Sequence, residues 1–108
     1  MNDITQKLIY KTNMIFDWMN DEIINPDEIT YHHINKKCDG GKLTFENGAV
    51  LTKKSHTFLN ILERKPTHKY YETINTLFIE FHKYLNNEES SITSIYDYRK
   101  KIHFHQQA

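Results

Sequence analysis

The chain has 108 residues, 38% hydrophobic and 26% charged, enough for one modest core in one domain and too apolar for wholesale disorder. Fourteen Lys/Arg balance fourteen Asp/Glu, which argues against a protein that coats nucleic acid by charge alone. No apolar run approaches the ~20 residues of a membrane span. Met1 to Lys7 lack the pattern of a secretory signal, and the single Cys38 excludes an internal disulfide and any CxxC zinc knuckle. The expected setting is a reducing cytoplasm.

The zero balance conceals an asymmetry. Residues 1–30 hold two Lys against six acids, residues 31–69 hold eight Lys/Arg against three acids, and residues 70–108 hold four against five. The positive charge is therefore concentrated in the middle third.

In chain order, the first segment, Ile4 to Ile24, reads as a helix. Ile4, Leu8, Ile15, Trp18/Met19 and Ile23 recur at spacings near three and four. Asp3 suits its start, and Asn25-Pro26-Asp27 stops it, because proline cannot continue the hydrogen-bond ladder. Ile29-Thr30-Tyr31-His32-His33-Ile34 is rich in β-branched and aromatic residues and reads as a short strand. Asp39-Gly40-Gly41-Lys42 and Asn47-Gly48 are turn signals. Ala49-Val50-Leu51-Thr52 reads as a second strand, reached by a loop too long for a tight hairpin.

A helix follows over Lys54 to Arg64, with Thr52 or Ser55 as its cap and Pro66 just beyond its end. His68 to Asn86 reads as a long helix with Thr67 as N-cap. It carries two apolar lines, Tyr70/Ile74/Leu77/Phe81/Tyr84 and Tyr71/Phe78/Leu85. One line suits the core and the other a partner, so a homodimer is among the expectations. A last helix, Ile92 to His103, closes the chain. The expected fold is α+β and mostly helical, a single domain over 1–108. Residues 1–27 form an N-terminal helix, 28–65 a strand–loop–strand–helix core, and 66–108 a C-terminal helical pair.

The chemistry-bearing residues fall together in the core: His32-His33, Asn47, and His56 with Asn60. Adjacent side chains on a strand point to opposite faces, so the His pair suits one ring on a metal and the other on a substrate rather than joint chelation. Residues four apart on a helix share a face, so His56 and Asn60 can address one ion. An Asn before Gly48 can bond backbone groups and pin a loop. Taken alone, each histidine is more often an ordinary half-buried residue. His68 and His82 lie off this group and read as structural, and His103/His105 as a solvated tail. Cys38 reads as a plain loop cysteine.

Together, Tyr31-His32-His33-Ile34, the Asp39-Gly40-Gly41 loop, Glu46-Asn47-Gly48-Ala49-Val50-Leu51 and Lys54-Ser55-His56 with Asn60 resemble the motif of the HNH (His-Asn-His) nuclease family. The likeness covers residues 30–64, about a third of the chain. It implies a ββα-metal core of the branch without zinc knuckles. It also implies a metal-dependent endonuclease that hydrolyses DNA phosphodiesters to 5′-phosphate and 3′-hydroxyl ends. By position, His32 and His56 become metal ligands and Asn60 a third ligand or phosphate contact. His33 becomes the general base and Asn47 the residue that holds loop and base. Asn47 and His56 stand nine residues apart, as the motif requires. The residues after the His pair, Ile34-Asn35-Lys36, lack the proline common in the family. The implied cofactor is one divalent ion. Imidazole ligands favour Mn, Ni, Co or Zn, with Mg the harder alternative. Lys36, Lys37, Lys42, Lys53 and Lys54 are the expected phosphate contacts, aided by the N-terminus of the helix that bears His56. A short stand-alone protein of this kind would suit a phage or mobile element by analogy. The rival expectations are a non-cleaving nucleic-acid-binding accessory and a protein-interaction module on the same fold.

Overall fold

The computed structural model describes residues 3–12, 16–20 and 25–106. Its fold is α+β and mostly helical. The described elements are α1 (Asp3–Thr12), β1 (Ile29–His33), β2 (Gly48–Thr52), α2 (Lys53–Leu62), α3 (His68–Leu85) and α4 (Ile95–Gln106), with short 3₁₀ turns at Pro26–Glu28 and Lys37–Asp39. No helix among the described residues is long and apolar enough to cross a membrane.

The two strands pair antiparallel, with Thr30 opposite Leu51, His32 opposite Ala49 and His33 opposite Gly48. All of β2 is buried, whereas β1 is mostly half-buried with His32 as its one buried residue. Thr52 ends β2 and caps α2: its hydroxyl accepts from the Ser55 N–H at 3.1 Å.

The first helix is described over Asp3–Thr12, where the Thr12 hydroxyl turns back on the Leu8 and Ile9 carbonyls. Its periodicity predicts a helix through Trp18 and Met19, but residues 16–20 are not helical. Ile15 and Ile23 of the expected stripe lie outside the described residues. Phe16, Asp17, Trp18 and Met19 are all buried in a non-helical segment. Four consecutive buried residues do not suit a one-faced helix, and tertiary bonds replace the helical ladder. The Trp18 N–H donates to the Val50 carbonyl at 2.8 Å. The Asp17 carboxylate accepts from the Thr52 N–H at 3.2 Å, the Thr52 hydroxyl at 2.7 Å, the Ser55 hydroxyl at 2.5 Å and the Met19 N–H at 2.9 Å.

The core collects Trp18, Phe78, Phe81 and Tyr98. Trp18 meets Phe81 edge-on at 4.9 Å, and Phe81 stacks on Tyr98 at 4.0 Å. The Tyr98 hydroxyl donates to the Trp18 carbonyl. Burial first, and the Asp17 charge second, push its phenol well above the usual range, so it remains a donor. On α3, Ile74, Leu77 and Phe81 of one expected line and Tyr71, Phe78 and Leu85 of the other are all buried within the chain. Both lines thus contribute to the protein's own core, while Tyr70 and Tyr84 of the first are half-buried.

Two caps differ from expectation. Thr67 makes no side-chain cap for α3; its hydroxyl donates to the Leu62 and Arg64 carbonyls. The last helix starts at Ile95 rather than Ile92. Ser94 accepts from the Asp97 N–H at 2.9 Å, and Asp97 reaches back to the Thr93 N–H at 3.0 Å.

Asp17→Ala leaves four buried donors without their acceptor and should lower stability by about 3 kcal/mol, the scale of lost hydrogen bonds to a charged group. Urea unfolding followed by the fluorescence of Trp18, the single tryptophan, measures it. A loss below about 1 kcal/mol would remove Asp17 from this role.

Candidate functional site

The alternation of β1 decides which side chains meet. Thr30 and His32 point toward α2 and α3, while Tyr31 and His33 share the other face, where their rings meet edge-on at 4.8 Å. His32 is buried, edge-on to the His56 ring at 5.3 Å and near Phe78 at 5.8 Å. His33 ends the strand and reaches the same cleft from its rim. The cleft, of about 250 Å3, is lined by His32, His33, Lys36, Lys37, His56, Asn60, Glu63 and Tyr71.

Asn47 organises the loop that frames it. Its Oδ1 accepts from the Asn35 N–H at 2.7 Å, and its Nδ2 donates to the Asn35 and Lys42 carbonyls at 3.0 and 2.9 Å. Its own carbonyl accepts from the Ile34 N–H at 2.8 Å. One side chain thus ties the residues after His33 to those before β2. The tight turn needs both glycines. Gly40 adopts a φ of 90°, and a Cβ on Gly41 would lie 1.8 Å from the Asn35 carbonyl oxygen.

Hydrogen bonding fixes the state of His56. The Thr30 hydroxyl donates its one proton to the Leu51 carbonyl at 2.8 Å. Towards His56 Nδ1, 2.9 Å away, it therefore accepts, so Nδ1 carries the ring proton and Nε2 keeps its lone pair. His32 Nε2 lies 2.9 Å from the Asn75 Oδ1. Burial draws the His32 pKa down to about 4, with smaller contributions from His56 and His33 against the opposing Asn75 bond. Burial, then His33, lowers His56 as well. Both rings are neutral near pH 7, the form that binds a metal.

The residues fit a divalent ion. Two imidazoles sharing one ion at ~2.1 Å from each nitrogen place their ring centroids roughly 5 Å apart, close to the 5.3 Å of His32 and His56. Asn60, one turn beyond His56 and exposed, lines the same cleft. Among the described residues, no group of three or more His, Cys, Asp or Glu is placed to hold a metal. An ion in this cleft would meet two imidazoles and an amide, with further positions open to water or phosphate.

The expected lysines divide. Lys36 and Lys37 line the cleft. Lys36 pairs with Glu63, and its Nζ lies 5.9 Å from the Tyr71 ring centroid. Lys53 and Lys54 line separate hollows at the start of α2, and Lys42 contributes its carbonyl to the loop. At the N-terminus of α2 the Thr52 hydroxyl accepts the Ser55 N–H, and the Asp17 carboxylate, bonded to Thr52 and Ser55, already places a negative charge beside this helix end. Asn75, Glu63 and Tyr71 also belong to the site. The sequence marks Tyr71 only as a member of an apolar line and Asn75 only as an amide among the apolar residues of α3.

His82 and His68 hold structure. His82 Nε2 donates to the Gly48 carbonyl at 2.6 Å between Trp18 and Phe45, and His68 Nδ1 bonds the Glu63 carbonyl at 2.6 Å. Cys38 is an exposed free thiol in the loop. Comparison with protein-family models, curated proteins and solved structures found no match to this chain.

The buried histidines predict an acid sensitivity. A native pKa below the unfolded value means the unfolded chain binds more protons, so stability is complete above pH ~6.5 and falls as pH drops through the native value. For His32, native pKa about 4, the loss reaches about 3 kcal/mol. Urea unfolding in EDTA between pH 7.5 and 4 should show the decline, and His32→Asn should flatten it. An unchanged slope in the variant would place the sensitivity elsewhere.

Proposed function

We propose that the protein is a metal-dependent endonuclease of the HNH type that hydrolyses phosphodiester bonds in DNA. One observation carries the reading: a strand–loop–strand–helix unit gathers His32, His33, His56 and Asn60 around a single cleft while Asn47 pins the loop that frames it. These are the residues whose spacing resembles the motif.

His32, His56 and Asn60 would hold a divalent ion, which when bound polarises phosphate oxygens and offsets the charge that develops during displacement. The remaining steps belong to the chain. His33, at the cleft rim and braced edge-on by Tyr31, takes a proton from the attacking water. Asn47 keeps the backbone after His33 fixed, so the base holds its direction. Lys36 and Lys37 meet the phosphate backbone within the cleft and position it without reading sequence.

His33→Ala should leave fold and metal affinity intact and lower plasmid nicking by roughly 10²–10⁴-fold. Nicking by the wild type should also be lost in EDTA. Undiminished cleavage by a folded His33→Ala protein removes His33 from the role, and EDTA-resistant cleavage overturns the metal.

The division of the lysines gives a second test. DNA affinity should fall with salt at a slope near −0.9 per phosphate neutralised. Lys36→Ala with Lys37→Ala should flatten that slope more than Lys53→Ala with Lys54→Ala. The reverse order would put DNA at the start of α2 and away from the histidines.

A further inference from the structure

Asn75 stands outside the motif, on α3, and is only 9% exposed. Its neighbours on that face, Tyr71, Ile74 and Phe78, are core residues. An amide in such surroundings costs free energy unless it is paired. Its Oδ1 lies 2.9 Å from His32 Nε2 in a buried contact. An amide oxygen only accepts, so Nε2 carries the proton of the neutral ring and the lone pair is left on Nδ1.

We propose that Asn75 is a positioning residue for the site: by accepting the Nε2 proton of His32 it fixes that ring's tautomer and makes Nδ1 the nitrogen that meets the metal. A side chain from α3 thereby completes a centre otherwise built from the strands and α2. His56 is locked the opposite way by Thr30, with Nδ1 protonated and Nε2 open. The two ligands therefore use different nitrogens. That arrangement follows from their supports: His32 is backed from α3 and His56 from β1. A partner of this kind holds a ligand ring in its binding orientation and raises its basicity.

The metal half of this inference rests on the function proposed above; the tautomer does not. The test uses the full-length, metal-free protein, ¹⁵N-labelled, at pH 8. Two-bond ¹H–¹⁵N spectra report which nitrogen of each histidine is protonated, with His32 assigned from His32→Gln. The expected result is Nε2–H in the wild type. Asn75→Asp keeps an acceptor and keeps Nε2–H. Asn75→Leu has nearly the same shape and no acceptor; its His32 becomes a mixture of tautomers. Titration of Co²⁺ by calorimetry should show 10–100-fold weaker binding in Asn75→Leu and no such loss in Asn75→Asp. Nδ1–H in the wild type means the Asn75 amide faces the other way and overturns the assignment. A folded Asn75→Leu protein with unchanged tautomer and Co²⁺ affinity overturns the positioning role. Should that variant fail to fold, the wild-type tautomer and Asn75→Asp still decide. A tautomer that behaves as expected in a wild type that binds no Co²⁺ overturns the metal half and leaves the Asn75–His32 bond standing.

Discussion

The Asp17 carboxylate is the constraint on which the rest of the structure depends. It is 1% exposed and accepts four hydrogen bonds, from Thr52, Ser55 and the backbone beside it. A buried carboxylate is costly unless its lone pairs are satisfied by well-placed donors. Those donors exist only when β2 has ended at Thr52 and α2 has begun at Lys53 in one particular phase. That phase places Ser55 toward Asp17 and His56 toward Thr30 and His32. The position of a site residue is therefore set by a contact on the far side of the same helix turn. Tyr98 adds a second tie, since its hydroxyl holds the Trp18 carbonyl next door to Asp17.

The site itself depends on two short-range rules acting together. Strand alternation sends Thr30 and His32 to one face and Tyr31 and His33 to the other. His33, the last residue of β1, nonetheless lines the cleft with His32 and His56, and Asn47 pins the backbone that follows it. Loss of the Asn47 side chain would free both ends of the loop at once, since it bonds Asn35 on one side and Lys42 on the other. Each imidazole that would touch a metal has its second nitrogen committed to a protein partner. The supply of neutral, oriented rings is thus a property of packing, present before any ion arrives.

Much of this was legible in the sequence, and the failures have physical causes. The strand pair, the helices after it and the His/Asn grouping were legible because period-two alternation, turn glycines and helix spacing are local signals. Helical spacing predicts a helix through Trp18 and Met19, but there tertiary bonds to Val50, Thr52 and Ser55 override it. Nothing local to Thr52 announces that a carboxylate thirty-five residues earlier sits beside the start of α2. Charge alone groups Lys53 and Lys54 with Lys36 and Lys37 but carries no direction, and the fold sends the two pairs to separate hollows. Asn75 is hard to see in the sequence because the apolar lines of α3 dominate its pattern, and the informative residue is the polar one among them.

The core also explains how a short strand–loop–strand–helix unit holds together with one cysteine and no zinc knuckle. Its buried side is closed by α3 and α4, through Phe78, Phe81 and Tyr98 against Trp18. These aromatic contacts supply the burial that a two-stranded sheet and one helix cannot provide alone. The same α3 that provides Phe78 provides Asn75 to His32 and His82 to the Gly48 carbonyl. Support and site therefore share one helix, and its register serves both. A substitution that slid α3 by one residue against the sheet would lose the core contacts and both histidine bonds together. The helix is thus constrained more tightly than an apolar stripe requires, and the polar residues on its buried face are the ones that specify its register.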